Sequence, residues 1–527
     1  MKPGAIAIKM REVLIALVIA LPWLNPFASG PSPAVLPWLL ALTATAGLML
    51  LASLRTSGND ARGGAPFAQR WACITAWAWA LAGLVSSVIG LLQYFGAAQA
   101  LAPWVNQASF GEAFANLRQR NQFATLTNIA LAALLWWVVQ ERSSALARKP
   151  NVPALTVWLG MLMAIVLAFG NAASTSRTGM LQAGLLVALT GFWGGWRRPQ
   201  LRHMLLAFGL AYVVALLLLP WLAGLDPLQH GAWARMRTGD ALCASRRTLW
   251  SNVLQLIAQK PWLGWGWGEL DYAHYATLYE GPRFCDILDN AHNLPLHLAV
   301  ELGIPAALIF CCGVAWWVWR QQPWRELDAT RRLAWAVLAL IGLHSLLEYP
   351  LWYGPFQMAA GLCVLMLWRG KNMELDQKFK ENRVLAHTLR VPVAIVLIAI
   401  AGYAAWDYHR IGQIYRAPED RAVAYRDDTL AKIRGSWLFA NQVRFAELSI
   451  TPLTQANAQW TFDTATALLH YSPEPRVIEK VIESAVMLGR DEEALAHLAR
   501  YRAAFPLDHA RWAQGNAKLP EAVQRMP

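Results

Sequence analysis

Residues 204–224 read MLLAFGLAYVVALLLLPWLAG, an apolar run without a single charged side chain. A helix of about 20 such residues is long enough to cross the hydrocarbon layer of a membrane. Similar runs recur along most of the chain, whose 527 residues are 56% hydrophobic and only 15% charged. That much apolar surface needs lipid around it, so the composition predicts an all-α integral membrane protein.

The apolar runs predict about eleven transmembrane helices. They cover residues 13–29, 34–54, 72–95, 121–139, 153–170, 179–196, 204–224, 294–319, 333–349, 351–368 and 391–407. The first run follows Lys2, Lys9 and Arg11, as in a signal peptide. Because no small-residue cleavage site stands out and another span follows at once, it is predicted to stay as a permanent helix.

The net charge of +13 is not gathered into one patch, which argues against a nucleic-acid partner. Basic residues instead occupy alternate connections between the spans. The clusters are Lys9/Arg11, Arg55/Arg62/Arg70, Arg142/Arg148/Lys149, Arg197/Arg198/Arg202, Arg320/Arg325/Arg331/Arg332 and the run 369–390. The positive-inside rule places these clusters on the cytoplasmic side of a bacterial inner membrane. The remaining connections and the C-terminal segment are therefore predicted to be periplasmic.

Two regions follow from this topology. Residues 1–407 are predicted to form the membrane domain, with a long periplasmic loop at 225–293, and residues 408–527 a soluble helical domain. Residues 485–506 read AVMLGRDEEALAHLARYRAAFP and are similar to one tetratricopeptide-type helical hairpin. A plain packing hairpin is the alternative.

Six cysteines are present, and only Cys243 and Cys285 lie outside the predicted spans, both in the long loop. A disulfide between them in an oxidising compartment would stabilise the fold by roughly 4 kcal/mol through loop closure. Two unpaired thiols are the alternative. The sequence has no CxxC or HExxH pattern, so neither a metal site nor a cofactor is predicted.

The long loop itself carries two recognisable features. A helix is predicted from Arg246 to Pro261, with Leu249, Val253 and Ile257 on one apolar face. Residues 261–268 then read PWLGWGWG, which combines indoles that favour a membrane interface with glycines that allow sharp turns. This segment is predicted to be mainly structural.

Polar and ionisable side chains gather at the predicted outer ends of the spans, where each needs a partner or a task. They are Gln119, Asn121, Arg177, Arg246, Arg247, His292, Asn293, His344, Glu348 and Tyr349. Arginines suit a diphosphate because the guanidinium forms bidentate bonds and keeps its proton, although lipid anchoring or ion pairing is the alternative. His344 and Glu348 are predicted to share a helical face as a structural pair. His292, at a helix start beside an open lumen, is the candidate for function.

Five motifs together resemble the bacterial O-antigen ligase and O-oligosaccharyltransferase superfamily, which also contains O-antigen polymerases. They are QRNQFA at 119–124, SRTG at 176–179, Arg246 four residues before Trp250, NAHN at 290–293 with ELG at 301–303, and HSLLEYPLWY at 344–353. The last motif, with a soluble helical tail after it, most resembles the pilin glycosylation ligases. The resemblance implies transfer of a glycan from undecaprenyl diphosphate to a Ser or Thr of a periplasmic protein such as pilin.

The resemblance also implies residue roles. His292 matches the essential loop histidine and is expected to act as general base, while Arg177 and Arg246 match arginines that hold the donor diphosphate. Arg247 competes with Arg246 for that role, and Gln119 and Tyr349 match polar positions of the protein-glycosylating branch.

The expected reaction is inverting and independent of metal. Ligation to a lipid A core and glycan polymerisation are the alternatives within this class. A transporter would instead need polar groups at the membrane midplane and an inverted repeat, neither of which is apparent.

Overall fold

The computed structural model describes residues 3–53, 67–146, 154–226, 242–371 and 382–515. Within these ranges every regular element is a helix. Several residues discussed above lie outside the described residues: Lys2, Arg55, Arg62, Arg148, Lys149, and the segments 227–241, 372–381 and 516–527. The chain divides into two compact units, one of residues 1–238 and 317–405 and the other of residues 239–316 and 406–527.

The helices before the long loop are α1 to α7. Their bounds are Pro3–Leu24, Val35–Ser53, Phe67–Tyr94, Arg120–Leu146, Ala154–Ala173, Arg177–Phe192 and Pro199–Leu222. The loop and the helices that follow it contribute α8 to α14, which run over Arg246–Gln259, Leu270–Ala276, Leu294–Leu302, Ile304–Gln321, Ala329–Ser345, Gly354–Lys371 and Asn382–Ile411. The remaining helices, α15 to α20, are Thr429–Ile433, Ala440–Ile450, Ala458–Leu468, Pro475–Met487, Asp491–Ala504 and Pro506–Gly515.

Seven of the described helices are long and apolar enough to cross a membrane, which confirms a multi-pass helical protein. These candidate spans are Val35–Ser53, Gln69–Tyr94, Arg120–Gln140, Leu155–Ala173, Pro199–Leu222, Ile304–Arg325 and Leu389–Tyr415. The four other predicted runs fall on α1, α6, α12 and α13. Helix α1 carries Lys9, Arg11 and Glu12, and α6 and α12 have only 16 and 17 residues. The total of eleven therefore stays a prediction.

The core of the first unit is built around α4, which packs against α3, α5, α6 and α12. Its side chains Phe123, Leu126 and Ile129 are fully buried. Close approach of α3 depends on Gly83, because a Cβ there would overlap the Cβ of Ala130. Small residues at such contacts let membrane helices pack tightly without a hydrophobic driving force between them.

The single helix predicted at 294–319 is wrong, because the structure breaks it at Gly303 into α10 and α11. Gly303 has φ 87° and ψ 161°, a backbone conformation that favours glycine. The PWLGWGWG segment docks on this break. The amide of Trp265 donates to the carbonyl of Val300 at 2.8 Å, and that of Ile304 donates to Pro261 at 2.8 Å. Hydropathy cannot reveal such a break, since both halves are apolar.

In the second unit, α8 confirms the predicted loop helix, with Leu249, Val253 and Ile257 buried on one face. A disulfide joins Cys243 and Cys285, and the Cys285 amide also donates to the Cys243 carbonyl at 3.3 Å. This covalent link closes the loop at the start of α8.

The long loop and the C-terminal helices pack together within this second unit. Tyr275 Oη lies 2.8 Å from His497 Nδ1, and Arg500 Nε donates to the Ala276 carbonyl at 3.1 Å. Helices α18 and α19 form a helical hairpin, turned by Gly489 with φ 69°. The boundaries predicted near residues 225, 293 and 407 stay predictions.

Candidate functional site

The first unit gathers polar groups where α4 and α6 begin and α12 ends. Gln119 lies just before α4, where its side-chain oxygen accepts a hydrogen bond from the Gln122 amide at 2.8 Å. It therefore satisfies one of the backbone donors that a helix start leaves without a partner. Asn121 follows in the first turn of the helix and is half-buried.

Asn121 connects three of the predicted motifs. Its amide nitrogen donates to the carboxylate of Glu348 at 3.1 Å, and its side-chain oxygen accepts from the Ser176 hydroxyl at 2.6 Å. Ser176 in turn caps α6 by accepting from the Gly179 amide at 2.9 Å. These contacts hold the start of α6 and the segment after α12 against α4.

His344 contacts a residue that the motifs did not indicate. Helix α12 ends at Ser345, but the Glu348 amide still donates to the His344 carbonyl at 2.8 Å, so a helical turn continues between the two residues. Their pairing through the side chains stays a prediction. The Nδ1 atom of His344 lies 2.9 Å from the Thr125 hydroxyl, which also contacts the Asn121 carbonyl at 2.7 Å and the Gln182 side-chain oxygen at 2.9 Å.

The Thr125 hydroxyl connects three groups. Besides His344 it contacts two acceptors, the Asn121 carbonyl and the Gln182 side-chain oxygen, since the Gln182 side-chain nitrogen donates to the Leu340 carbonyl at 2.9 Å. With one hydrogen the hydroxyl can donate to only one of its three neighbours at a time. His344 is thereby part of a network that joins α4, α6 and α12.

Arg177 is the first residue of α6, and its side chain is exposed. The chain turns into the helix through Thr175, whose φ is 52°. A helix start favours anions because its free amides and dipole are positive there. Tyr349 lies on the neighbouring segment, half-exposed and stacked on Tyr353 with ring centroids 5.8 Å apart.

In the second unit, the two candidate arginines open α8 immediately after its cap, Ser245. Arg246 is half-buried, whereas Arg247 is exposed. Trp250 lies one turn after Arg246 on the same helical face. Its indole nitrogen donates to the carbonyl of Ala291 at 3.1 Å, directly before His292. The face of α8 that carries Arg246 is thus the face that holds the histidine segment.

His292 adopts an unusual backbone conformation with φ 49°. A left-handed conformation costs a non-glycine residue roughly 1–2 kcal/mol, so surrounding contacts must hold it. Its amide donates to the Asn290 side chain at 2.9 Å, and Asn293 caps α10 by accepting from the Leu296 amide at 3.1 Å. With the Trp250 contact, His292 is fixed on both sides and remains half-buried.

Ionisable groups surround His292, outside the candidate spans. Burial raises the pKa of Asp289, while the nearby His292 lowers it. Burial and, to a smaller extent, His292 lower the pKa of His297 to about 4, and burial raises the pKa of Glu301 to about 7. His297 Nε2 lies 3.4 Å from the Glu301 carboxylate. A histidine beside a carboxyl group is an arrangement that suits general base catalysis.

Sequence reasoning missed Thr125, Gln182 and His297 as parts of these clusters. His297 and Glu301 are four residues apart in α10, a spacing that could have indicated their pairing. Thr125 and Gln182 have no such signal, because their contacts join different helices. The described residues contain no cluster of three or more His, Cys, Asp or Glu side chains that could hold a metal ion.

Comparison with known families gives three matches along the chain. The family described as Protein glycosylation ligase matches residues 113–138, and O-Antigen ligase matches residues 162–311. Virulence factor membrane-bound polymerase, C-terminal, matches residues 332–520.

Two curated relatives come from Acinetobacter baylyi. A General O-oligosaccharyltransferase is 25% identical over 53% of this chain and 47% of its own length. A ComP-specific O-oligosaccharyltransferase is 26% identical over 48% of this chain and 43% of its own length. The chain thus spans a little under half the length of the relatives it matches. By these matches the chain is similar to O-oligosaccharyltransferases and O-antigen ligases.

Every candidate site residue lies inside a matched segment. Gln119 and Asn121 fall in the glycosylation-ligase match, and Arg177, Arg246 and His292 fall in the O-antigen ligase match. The segment from His344 to Tyr349 falls in the polymerase match. No solved structure shows significant similarity to the chain.

Proposed function

We propose that this chain is a protein O-oligosaccharyltransferase, which moves a glycan from undecaprenyl diphosphate to a Ser or Thr hydroxyl of a periplasmic protein such as pilin. The observation that carries the proposal is the fixed backbone of His292, held by Asn290 and by Trp250 of the helix that Arg246 begins. The names of the two relatives and the glycosylation-ligase match favour a protein acceptor.

The proposed topology has about eleven membrane helices in a bacterial inner membrane. The long loop and the C-terminal helices are periplasmic, and the basic connections are cytoplasmic. The donor diphosphate and the acceptor protein then meet the chain on its periplasmic face. Residues 408–527, proposed to resemble a tetratricopeptide-type hairpin domain, would contribute to binding the acceptor.

In the proposed reaction the acceptor hydroxyl attacks the anomeric carbon of the glycan with inversion. The new carbon–oxygen bond forms as the bond to the diphosphate breaks, and His292 takes the hydroxyl proton. General base catalysis of this kind contributes about 10²- to 10⁴-fold. Arg177 and Arg246 stabilise the negative charge on the leaving diphosphate, which lets the step proceed without a metal ion.

Of the two adjacent arginines, we propose that Arg246 binds the donor diphosphate. It shares a helical face with Trp250 and is half-buried, where a charge-assisted bond to phosphate is stronger than at an exposed site. Arg247 points about 100° away around the helix and is exposed. Replacing Arg246 with Gln should reduce donor use much more than the matched Arg247→Gln change.

The decisive experiment reconstitutes the protein in liposomes with a lipid-linked oligosaccharide and a purified acceptor, and follows glycosylation by mass spectrometry. His292→Asn tests the imidazole, because asparagine tolerates the left-handed backbone that His292 adopts. The expected result is loss of transfer while thermal stability is kept. Transfer at the wild-type rate by His292→Asn would remove the general base assignment.

A lipid A core as acceptor is the second candidate, favoured by the O-antigen ligase match over residues 162–311. Offering pilin and lipid A core in separate reactions distinguishes the two. Glycan appearing only on the lipid would overturn the protein acceptor and leave the role of His292 open to the same test.

A further inference from the structure

A cavity of about 400 Å³ opens in the first unit, away from the polar cluster around Asn121. Its lining includes Trp193, Trp196, Arg197, Trp324, Arg325 and Arg332. Helix α6 runs from Arg177 of the candidate site to Phe192 at this cavity, and α12 returns to His344. At 1.5 Å per residue, these helices place the cavity about 24 Å from the candidate site.

Two short connections build the cavity, one between α6 and α7 and the other between α11 and α12. The indole nitrogen of Trp193 donates to the Pro323 carbonyl at 2.9 Å and so ties them together. Gly194, with φ 74°, reverses the chain after α6. The Trp196 indole then folds back on α6 at Gly191, where any Cβ would overlap its nitrogen. The cavity wall is therefore fixed by a tight turn and by two indole side chains that pack on neighbouring backbone.

The charge of this cavity is positive. The one acidic residue in its lining, Glu326, is paired with the buried Arg331 at 2.6 Å. The Arg332 guanidinium is held by the Glu326 carbonyl at 2.8 Å and lies over the Trp193 ring at 5.9 Å. Arg197 and Arg325 are exposed, and neither pairs with a carboxylate in the described part of the chain.

The cavity lies at the ends of two candidate membrane spans, where lipid headgroups are found. The candidate span Pro199–Leu222 begins beside it, and the span Ile304–Arg325 ends at it. Phe192, Trp319 and Trp324 are exposed around the same level. Such aromatic side chains concentrate at membrane–water interfaces, so the arginines lie where phosphate groups of the bilayer are found.

We propose that this cavity binds the phosphate headgroup of an anionic phospholipid. Basic pockets between membrane helices on the cytoplasmic side hold such headgroups, and guanidinium groups bind phosphate with bidentate hydrogen bonds. Arg197 and Arg325 contact the phosphate, while Trp193 and Trp324 flank the glycerol region. In the proposed orientation the site is in the cytoplasmic leaflet, and it is separate from the donor site.

The test compares two double variants of the full-length protein in detergent. Arg197→Gln with Arg325→Gln removes the cavity charges, and Arg202→Gln with Arg320→Gln removes two exposed charges from the same membrane end without touching the cavity. Binding of phosphatidylglycerol, phosphatidylcholine and inorganic phosphate is measured by native mass spectrometry. Thermal stability without added lipid checks that both variants fold.

The expected result is saturable binding of phosphatidylglycerol that the cavity variant weakens by about 30-fold, the combined effect of two arginines near a lipid headgroup. The control variant should change it by less than about threefold. Equal loss in both variants, equal binding of phosphatidylcholine, or binding of inorganic phosphate but not of the lipid would each overturn the proposal. If the cavity variant does not fold, the single Arg197→Gln change at the exposed rim provides the same comparison against Arg202→Gln.

Discussion

The side-chain amide of Asn121 donates a hydrogen bond of 3.1 Å to the carboxylate of Glu348, across 227 residues of sequence. Because Glu348 is buried, its carboxylate depends on such donors to offset its loss of hydration. The bond thus connects the start of α4 to the segment that carries Tyr349, two regions that the candidate site needs in fixed positions.

Replacing Asn121 with Asp should destabilise the protein by about 1–3 kcal/mol, because Glu348 loses a donor and gains a neighbouring carboxylate. The Ser176 hydroxyl can still donate to the new side chain. Thermal unfolding in detergent measures the change. Adding Glu348→Gln restores a donor–acceptor pair and should recover most of the loss; a double variant no more stable than Asn121→Asp would show that the bond is not responsible.

Trp250→Phe should lower kcat about three- to tenfold with little change in KM, because one hydrogen bond that holds the His292 segment is lost while the ring is kept. Steady-state transfer assays separate the two constants. Trp437→Phe is the matched control, since that indole is 77% exposed in the same unit. A rise in KM alone would mean that Trp250 acts on binding and not on the position of His292.

Gly303→Ala should destabilise the second unit by at least about 3 kcal/mol, since a Cβ at this left-handed position meets the Trp262 carbonyl backbone. Gly313→Ala serves as control, because nothing lies within 4 Å of its Cβ and alanine favours the helix. Thermal midpoints of the two variants should move in opposite directions. Equal midpoints would mean that a side chain at position 303 does not strain the break between α10 and α11.

The buried imidazole of His274 predicts a pH dependence. It contacts the Tyr279 hydroxyl at 2.8 Å and the Phe284 carbonyl at 3.1 Å, and burial lowers its pKa to about 3. Between about pH 6.5 and 3 the unfolded chain takes up a proton that the folded chain refuses, so stability falls as the pH drops through this window.

Thermal midpoints measured from about pH 4 to 7 should therefore fall less steeply for His274→Gln than for the wild type. Other buried groups titrate equally in both proteins, so the comparison isolates His274. Glu301, whose pKa is raised to about 7, acts with the opposite sign because its folded form holds the extra proton. Parallel pH profiles would show that His274 has the same pKa in the folded and unfolded chain.

Sequence motifs indicated most residues of the candidate site, but they did not indicate the contacts between those residues. Each motif places its polar residues near a helix end, which local signals such as caps and apolar periodicity reveal. The contact between His344 and Thr125 could not be read in this way, since Thr125 lies on another helix. The choice of Arg246 over Arg247 likewise depends on which face of α8 meets Ala291.

The amino-acid sequence by itself determined the helical membrane class, the loop helix α8 and the placement of Cys243 and Cys285 outside the apolar runs. These features depend on the length, periodicity and composition of continuous segments. Tertiary structure alone decided the break at Gly303 and the packing of the long loop with the C-terminal helices. Both arise from contacts between distant residues, where a backbone carbonyl or a single side chain occupies space that no local pattern records.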